Sequence, residues 1–315
     1  MRDVVIKGIE LSRRFYREAV EPVLRGNFGD VPHAAARIGT GSEVLGFDTE
    51  RSSDHEWGPR LQLFLSAGDS RAADVSQALS EQLPKTFLGY PTNFVATDTE
   101  RIRSMSYTDG PVYHRVDVTD ARTWFAENLG FDPLAEITAW LTTSTQTLAE
   151  VTGGAVFHDD IGEVTRARER LSWYPEDVWR EIMARHWQAI AKKEAFVGRC
   201  GEVGDEVGSA VVAARQVRIL MRLCLLMSRR YPPYAKWLGS AFAQLSLDID
   251  FMRVLTASTW HEREAHLAVA YTRVAELHNG LNLTEPLDPA TRLYYERPFQ
   301  VILGDRFANA LRAVV

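Results

Sequence analysis

The sequence is short of several things, and each shortage removes a class of function. It has two cysteines, Cys200 and Cys224. With no short spacing between them, neither a disulfide framework nor a cysteine-based zinc site is expected, and a reducing compartment is. No apolar run approaches the length that crosses a bilayer, so no membrane partner is expected. The amino-terminal stretch MRDVVIKGIELSRR has no apolar core of signal length, which points to the cytoplasm. Positive charge is not in surplus either: the formal charge is −6. That argues against a general binder of nucleic acid, while a local basic groove stays open. There is no Walker A loop, no G-x-G-x-x-G after a strand, no H-E-x-x-H pair, no repeat and no low-complexity tract.

What remains is an ordinary globular composition, 45% apolar and 25% charged over 315 residues, enough to bury a full core in one or two domains. Apolar spacing predicts a helix over 7–25, with Pro22 late enough to kink or end it. A strand is expected at Ala36–Ile38 and another over 54–65, in which Gly58-Pro59 marks a bulge or edge break. A crossover helix fits 69–84, and 85–95 reads as strand plus loop. In PVYHRVDVTDARTWF, Val112, His114, Val116 and Val118 take one phase of a strand, and Tyr113, Arg115 and Asp117 the other. Asp120 has the position of a helix N-cap. A helix is expected over 131–154, closed by Gly153-Gly154. From there the pattern is helical, with runs at 175–195, 205–230, 235–256 and 258–279. The predicted organisation is therefore α+β: a mixed sheet with helices in 1–130, followed by an all-α domain in 131–315 that completes a cleft.

The stretch IGTGSEVLGFDTERSSDHEWGPRLQLFL (38–65) carries the candidate chemistry. Eleven residues separate Ser42 from Asp54, and Asp54-His55-Glu56 leads into the alternating run. Residues two apart on a strand share a face, so Asp54 and Glu56 are expected to offer two carboxylates to one hard cation. Gly41 and Ser42 would bring backbone N–H groups and a hydroxyl to phosphates. Asp48 reads as a turn carboxylate or a metal neighbour, and His55 either supports the pair or faces away.

This arrangement resembles the nucleotidyltransferase superfamily of DNA polymerase β type, in which an apolar-Gly-(Gly/Ser) turn precedes Asp-x-(Asp/Glu). The chain also resembles the DUF4037 group through GIELSRRFYREAVEPVL, GSEVLGFDTERSSDHEWGPRLQLFL and the long segment from EAFVGRCGEVGDEVGS to YAKWLGSAF. The superfamily resemblance implies Mg²⁺ or Mn²⁺ held by Asp54, Glu56 and a third carboxylate, for which Val-Asp-Val at Asp117 is the candidate. It implies an NTP as co-substrate and an acceptor hydroxyl on a small molecule, protein or RNA. Glu43-Val44-Leu45 departs from the family's turn, because no basic residue follows Ser42.

Later residues offer further candidates. Lys236, with Tyr231, Tyr234 and Trp237, follows Pro232-Pro233 and suits a triphosphate and a base, or is a surface lysine over packed rings. Arg199 and Asp205 sit among four glycines, in a nucleotide-facing loop or a tight inter-helix connection. His158-Asp159-Asp160 is either a metal cluster or a capped turn, and Arg166, Arg168 and Arg170 read as a solvated face. His261, His266 and His278 have no metal spacing. Three classes of function stay open: an NMP transferase, a nucleotide-binding or interaction protein without catalysis, and a transferase of other chemistry in specialised metabolism. The acceptor, the base and the oligomeric state are not legible.

Overall fold

The computed structural model describes residues 6–54, 56–96, 102–137 and 139–313; the side chains of Ser53 and Asp54 lie outside this description. The chain forms two compact units, Met1–Ser172 and Trp173–Val315.

In the first unit, α1 (Gly8–Phe15) passes through a single π turn (Tyr16–Val20) into α2 (Glu21–Phe28). Pro22 has no N–H for the carbonyl four residues back; the widened turn before it takes up the mismatch, and the helix continues. Asp48 caps this helix: it is buried and its Oδ2 accepts the Gly8 N–H at 2.8 Å. Then follow β1 (His33–Arg37), β2 (Arg60–Leu65), α3 (Ala72–Gln82), the short strands β3 (Thr86–Phe87), β4 (Tyr90–Pro91), β5 (Asn93–Ala96) and β6 (Arg103–Ser106), and β7 (Arg115–Asp120). The unit closes with α4 (Ala121–Leu129), α5 (Thr145–Thr152), β8 (Ala155–Asp159) and α6 (Glu163–Arg170).

The main sheet has the order β7-β2-β1-β8 and is mixed: β2 and β7 run parallel, and β1 is antiparallel to both neighbours. One phase of its strands is apolar. Ala35, Leu61, Leu63, Leu65 and Val116 pack with Leu11, Phe15 and Val20 of the first helices and with Val75 and Leu79 of α3. Each of the larger side chains contributes on the order of 1.5–3 kcal/mol, which fixes the register because a slip by one residue exposes the whole set. The other phase is polar at the starts of β2 and β7 and apolar further along, where Phe64 packs on Trp124. Arg60 stands opposite Arg115, and Gln62 opposite Asp117.

Three expectations are corrected here. The strand over 54–65 begins only at Arg60. Residues Glu50–Asp54 form a 3₁₀ turn, Glu56 has φ 45° and Gly58 φ 134°, so the backbone before Pro59 is not extended. Pro59, lacking an N–H, precedes the ladder rather than sitting inside it. The division near residue 130 also moves, to 172. β8 pairs with β1, with Ala35 opposite His158, and the Gly39 N–H reaches the Glu150 carbonyl, so 131–172 complete the first unit. The helix expected over 131–154 is only α5, started by the Ser144 cap on the Thr147 N–H.

The second unit is mainly helical: α7 (Glu176–Ala191), α8 (Phe196–Glu202), α9 (Glu206–Met227), α10 (Ala235–Ala243), α11 (Phe251–Thr256), α12 (Trp260–Gly280) and α13 (Gly304–Ala313). It is not all-α, because β9 (Arg292–Tyr294) and β10 (Arg297–Val301) form an antiparallel ribbon before α13. The helix expected over 235–256 divides in two, the second half starting where Asp250 accepts the Met252 and Arg253 N–H groups. Trp187 of α7 is fully buried and stacks on Phe307 of α13 at 4.3 Å. No helix of the described residues is long and apolar enough to cross a membrane.

Buried Glu264 on α12 makes this unit sensitive to pH. Burial pushes its carboxyl up to about 7, and its Oε1 has no hydrogen-bond partner among the described residues. The folded state therefore holds a proton that the unfolded chain has released, and stability falls as pH rises from the ordinary value of 4.5 through 7. Glu264→Gln is expected to gain about 1–2 kcal/mol at pH 8 and little at pH 4.5. That is a discounted share of the ~1.4 kcal/mol that each tenfold change in proton affinity is worth. Thermal melts of both proteins across that range check it; equal gains at both ends would refute the assignment.

Candidate functional site

The polar phase of the sheet opens on a pocket of about 440 Å³ formed by the end of β1, the starts of β2 and β7, and α4. Four guanidinium groups line it, those of Arg37, Arg60, Arg103 and Arg115, with the carboxylates of Asp117 and Glu127. Arg60 and Arg115 are neighbours because β2 and β7 run parallel in register. Two like charges side by side need anions behind them, and the sequence supplies two.

The first is Glu43, which is 4% exposed. Its Oε1 accepts from Arg37 Nε at 2.9 Å and from Arg60 Nη2 at 2.7 Å. Burial alone would raise this carboxyl, but Arg37 and Arg60 together bring it below its ordinary value. Arg37 is fully encased, donates on to the carbonyls of Ile38 and Thr40, and is pushed down to about 10, by burial first and then by Arg60. It stays charged at neutral pH. Gly41 exists for this pair: its φ is 150°, and a Cβ there would stand 2.5 Å from Glu43 Oε2 and 2.6 Å from Arg37 Nη2. Within the turn, the N–H groups of Val44, Gly46 and Phe47 bond to the carbonyls of Gly41, Glu43 and Ser42. Gly154 closes over the same place, where a Cβ would strike the Arg37 carbonyl.

The second anion is Glu56. Its Oε1 accepts the Arg103 N–H at 2.8 Å, and its Oε2 lies 2.7 Å from Arg115 Nη2 and 3.7 Å from Arg60 Nη1. Glu56 thus braces two arginines of the pocket and ties down β6. The side chain of Asp54 and all of His55 lie outside the described residues. Asp117 lines the pocket with its side chain open to solvent. The concave wall raises its carboxyl, desolvation first and the charge of Glu127 next, with Arg115 acting the other way. Asp120 is the cap of α4, accepting the Thr123 N–H at 2.9 Å. His114 reaches back to Ser76: its Nε2 donates to that carbonyl and its Nδ1 accepts the Val116 N–H, so the ring is neutral.

The candidates in the second unit occupy their own surroundings. Lys236 is exposed, on the first turn of α10, with its ammonium 4.9 Å over the Trp237 ring, and Tyr234 caps that helix. Tyr231 is buried against Trp173 and Tyr174. Arg199 is exposed and lies over Phe196. The glycines around it have packing reasons: a Cβ on Gly198 would meet the Phe299 ring, one on Gly201 the Trp260 ring, and one on Gly208 the Asp205 cap. That is the tight inter-helix connection.

The residues that sequence reasoning missed are Arg37, Glu43, Arg60 and Arg103. Their signal is present but indirect. In the sequence Glu43 stands out only as a departure from a turn that should carry a basic residue. The base comes instead from the strands on either side of that turn.

No curated protein matches the chain. The crystal structure of a nucleotidyltransferase-like protein from Exiguobacterium sibiricum is 12% identical, with a TM-score of 0.35, over 91% of this chain and 83% of that one. Residues 140–238 match the domain of unknown function DUF4037, which runs from the end of the first unit into the second. Over that stretch the chain is similar to the DUF4037 domain, and the likeness begins in the last elements of the mixed-sheet unit.

Proposed function

We propose that the arginine-lined pocket holds the phosphates of a nucleoside triphosphate, and that the protein transfers the nucleoside monophosphate to an acceptor hydroxyl with release of pyrophosphate. The observation that carries this reading is the pair Arg60 and Arg115, side by side on parallel strands and aimed by Glu43 and Glu56 into one pocket. Guanidinium forks match phosphate oxygens two at a time, and a pair braced from behind loses little freedom on binding. In this reading Asp54 and Asp117 are carboxylates of the reaction, and Glu56 joins them on leaving Arg115. Gly41 and Ser42 approach the phosphates.

The reading also calls for Mg²⁺ or Mn²⁺. Asp117 fits such an ion, since its carboxyl opens on the pocket and is raised by desolvation first and by the charge of Glu127 next, a repulsion that a cation relieves. Glu56 as placed does not, because the oxygen it would offer already faces Arg115 and Arg60. When bound, the ion would polarise the reacting phosphoryl group and offset charge on the leaving pyrophosphate. The chain's own part is to hold the phosphates in line with Arg60, Arg103 and Arg115 and to keep the acceptor beside Asp117.

The same engagement of Glu56 favours a second reading, a protein that binds a nucleotide without transferring it. Calorimetry of each NTP with and without Mg²⁺, followed by assay of pyrophosphate release, separates the two. Binding that strengthens with metal and is followed by release supports transfer; binding without release supports the second reading. No binding of any NTP by the folded protein removes both.

A further inference from the structure

Toward the other edge of the sheet, β1 and β8 bring together His33, His158 and Asp160. One donor atom from each lies within 4.8 Å of the others. The two imidazole rings are 4.5 Å apart, centre to centre. They share a face because His158 stands opposite Ala35, two residues along β1 from His33. The Asp160 N–H donates to the His33 carbonyl at 3.0 Å, which pins the third residue beside the first.

The protonation of His33 follows from its partners. Nδ1 lies 2.8 Å from the Val31 carbonyl, which can only accept, so Nδ1 carries the hydrogen and Nε2 the lone pair. A backbone carbonyl on the far nitrogen is the support that orients metal-binding histidines. In this structure that lone pair takes the Tyr16 hydroxyl at 2.8 Å, delivered by the π turn between α1 and α2. His158 Nε2 is buried with Asp160 Oδ2 2.7 Å away, so the imidazole and the carboxylate already face each other. Two ligands of one tetrahedral ion stand about 3.3 Å apart, so the His158–Asp160 pair would need to open by only about half an ångström.

The three residues border a cavity of about 480 Å³ whose other charged residues are Glu21, Arg25 and Asp30. Three carboxylates face one guanidinium there, a surplus that draws a cation.

We propose that His33, His158 and Asp160 bind a divalent transition-metal ion, Zn²⁺ by its chemistry, with one coordination position open to this cavity. Two imidazoles and a carboxylate select such an ion over Mg²⁺ or Ca²⁺, which prefer oxygen donors. Three protein ligands with an open fourth position are the pattern of a zinc centre that accepts a water or a substrate atom. The site is separate from the arginine pocket, with which it shares no lining residue. It stands whether or not that pocket binds nucleotides. Asp159 takes no part, because its oxygens accept the Gly162 and Thr165 N–H groups.

The test is a Co²⁺ titration of the chelator-treated full chain, followed by visible absorption and by displacement with Zn²⁺. The expected result is one equivalent of Co²⁺ giving ligand-field bands that Zn²⁺ abolishes. Affinity should fall at least ~100-fold in His158→Ala and in Asp160→Asn, beyond the loss of a merely supporting residue. Asp117→Asn should keep the bands, which separates this ion from any in the arginine pocket. Neither His158 nor Asp160 is buried as a residue, so both variants are expected to fold, which circular dichroism checks. Absence of a saturable band, or the same band and affinity in the folded variants, overturns the proposal.

Discussion

Glu43→Ala is expected to cost about 3–5 kcal/mol, the loss typical when one partner of a buried ion pair is removed. Glu43 hydrogen-bonds to both of two nearly inaccessible guanidinium groups, those of Arg37 and Arg60. Without it Arg37 keeps the carbonyls of Ile38 and Thr40, which are dipoles and not counter-charges. Arg60 keeps a distant contact to Glu56 at 3.7 Å. Glu43→Gln, which preserves shape and one acceptor, should cost less than the alanine change. The network also predicts the acid limit of the first unit. The Glu43 carboxyl is held below its ordinary value of 4.5, so its contribution is complete above that pH and is lost as pH falls through the lowered value. Thermal melts from pH 3 to 8 check both points. A loss below about 1 kcal/mol for the alanine variant would mean that water or a shifted arginine replaces the carboxylate, and that the pocket is less rigid than drawn.

Legibility from sequence follows the kind of signal. The amphipathic helices at 175–195, 205–230 and 258–279 are readable because their apolar spacing answers to one face. The Asp120 cap is readable because capping is local. β8 is not, since AVFHD has no clear alternation and its burial is intermediate throughout; only its pairing with β1 makes it a strand. The domain limit is hidden for the same reason, as a strand returning from residue 155 to residue 37 leaves no mark in composition.

At the candidate site the difference is sharper. The i, i+2 argument for Asp54 and Glu56 assumes a strand, and the positive φ of Glu56 and Gly58 with Pro59 removes that premise. Asp117 keeps its phase on β7, and the same alternation puts Arg115 beside it. The importance of Arg115 is not legible, because it depends on a parallel neighbour, Arg60, and on Glu56 folding back between them. Charge pairs across a sheet are decided by register, and register is a property of the whole unit.

Arg115→Ala is expected to weaken binding of a nucleoside triphosphate by about 10–100-fold, the usual worth of a charge-assisted hydrogen bond to an ionised group. It should do so with little loss of stability, since Arg115 is half-buried and its removal leaves Glu56 with Arg60 and the Arg103 N–H. Glu56→Gln then distinguishes the two readings of the pocket. If Glu56 only braces the arginines, the amide oxygen of the variant keeps much of that support, and affinity changes little and equally with and without Mg²⁺. If Glu56 must leave Arg115 to meet a cation, the variant still binds the nucleotide in the absence of metal, but it loses the gain from Mg²⁺ and any release of pyrophosphate. Isothermal titration of both variants against the wild type, with pyrophosphate assayed on the same samples, reads all of these quantities. Unchanged nucleotide affinity in folded Arg115→Ala would remove the phosphates from this pocket, and the transfer reading with them.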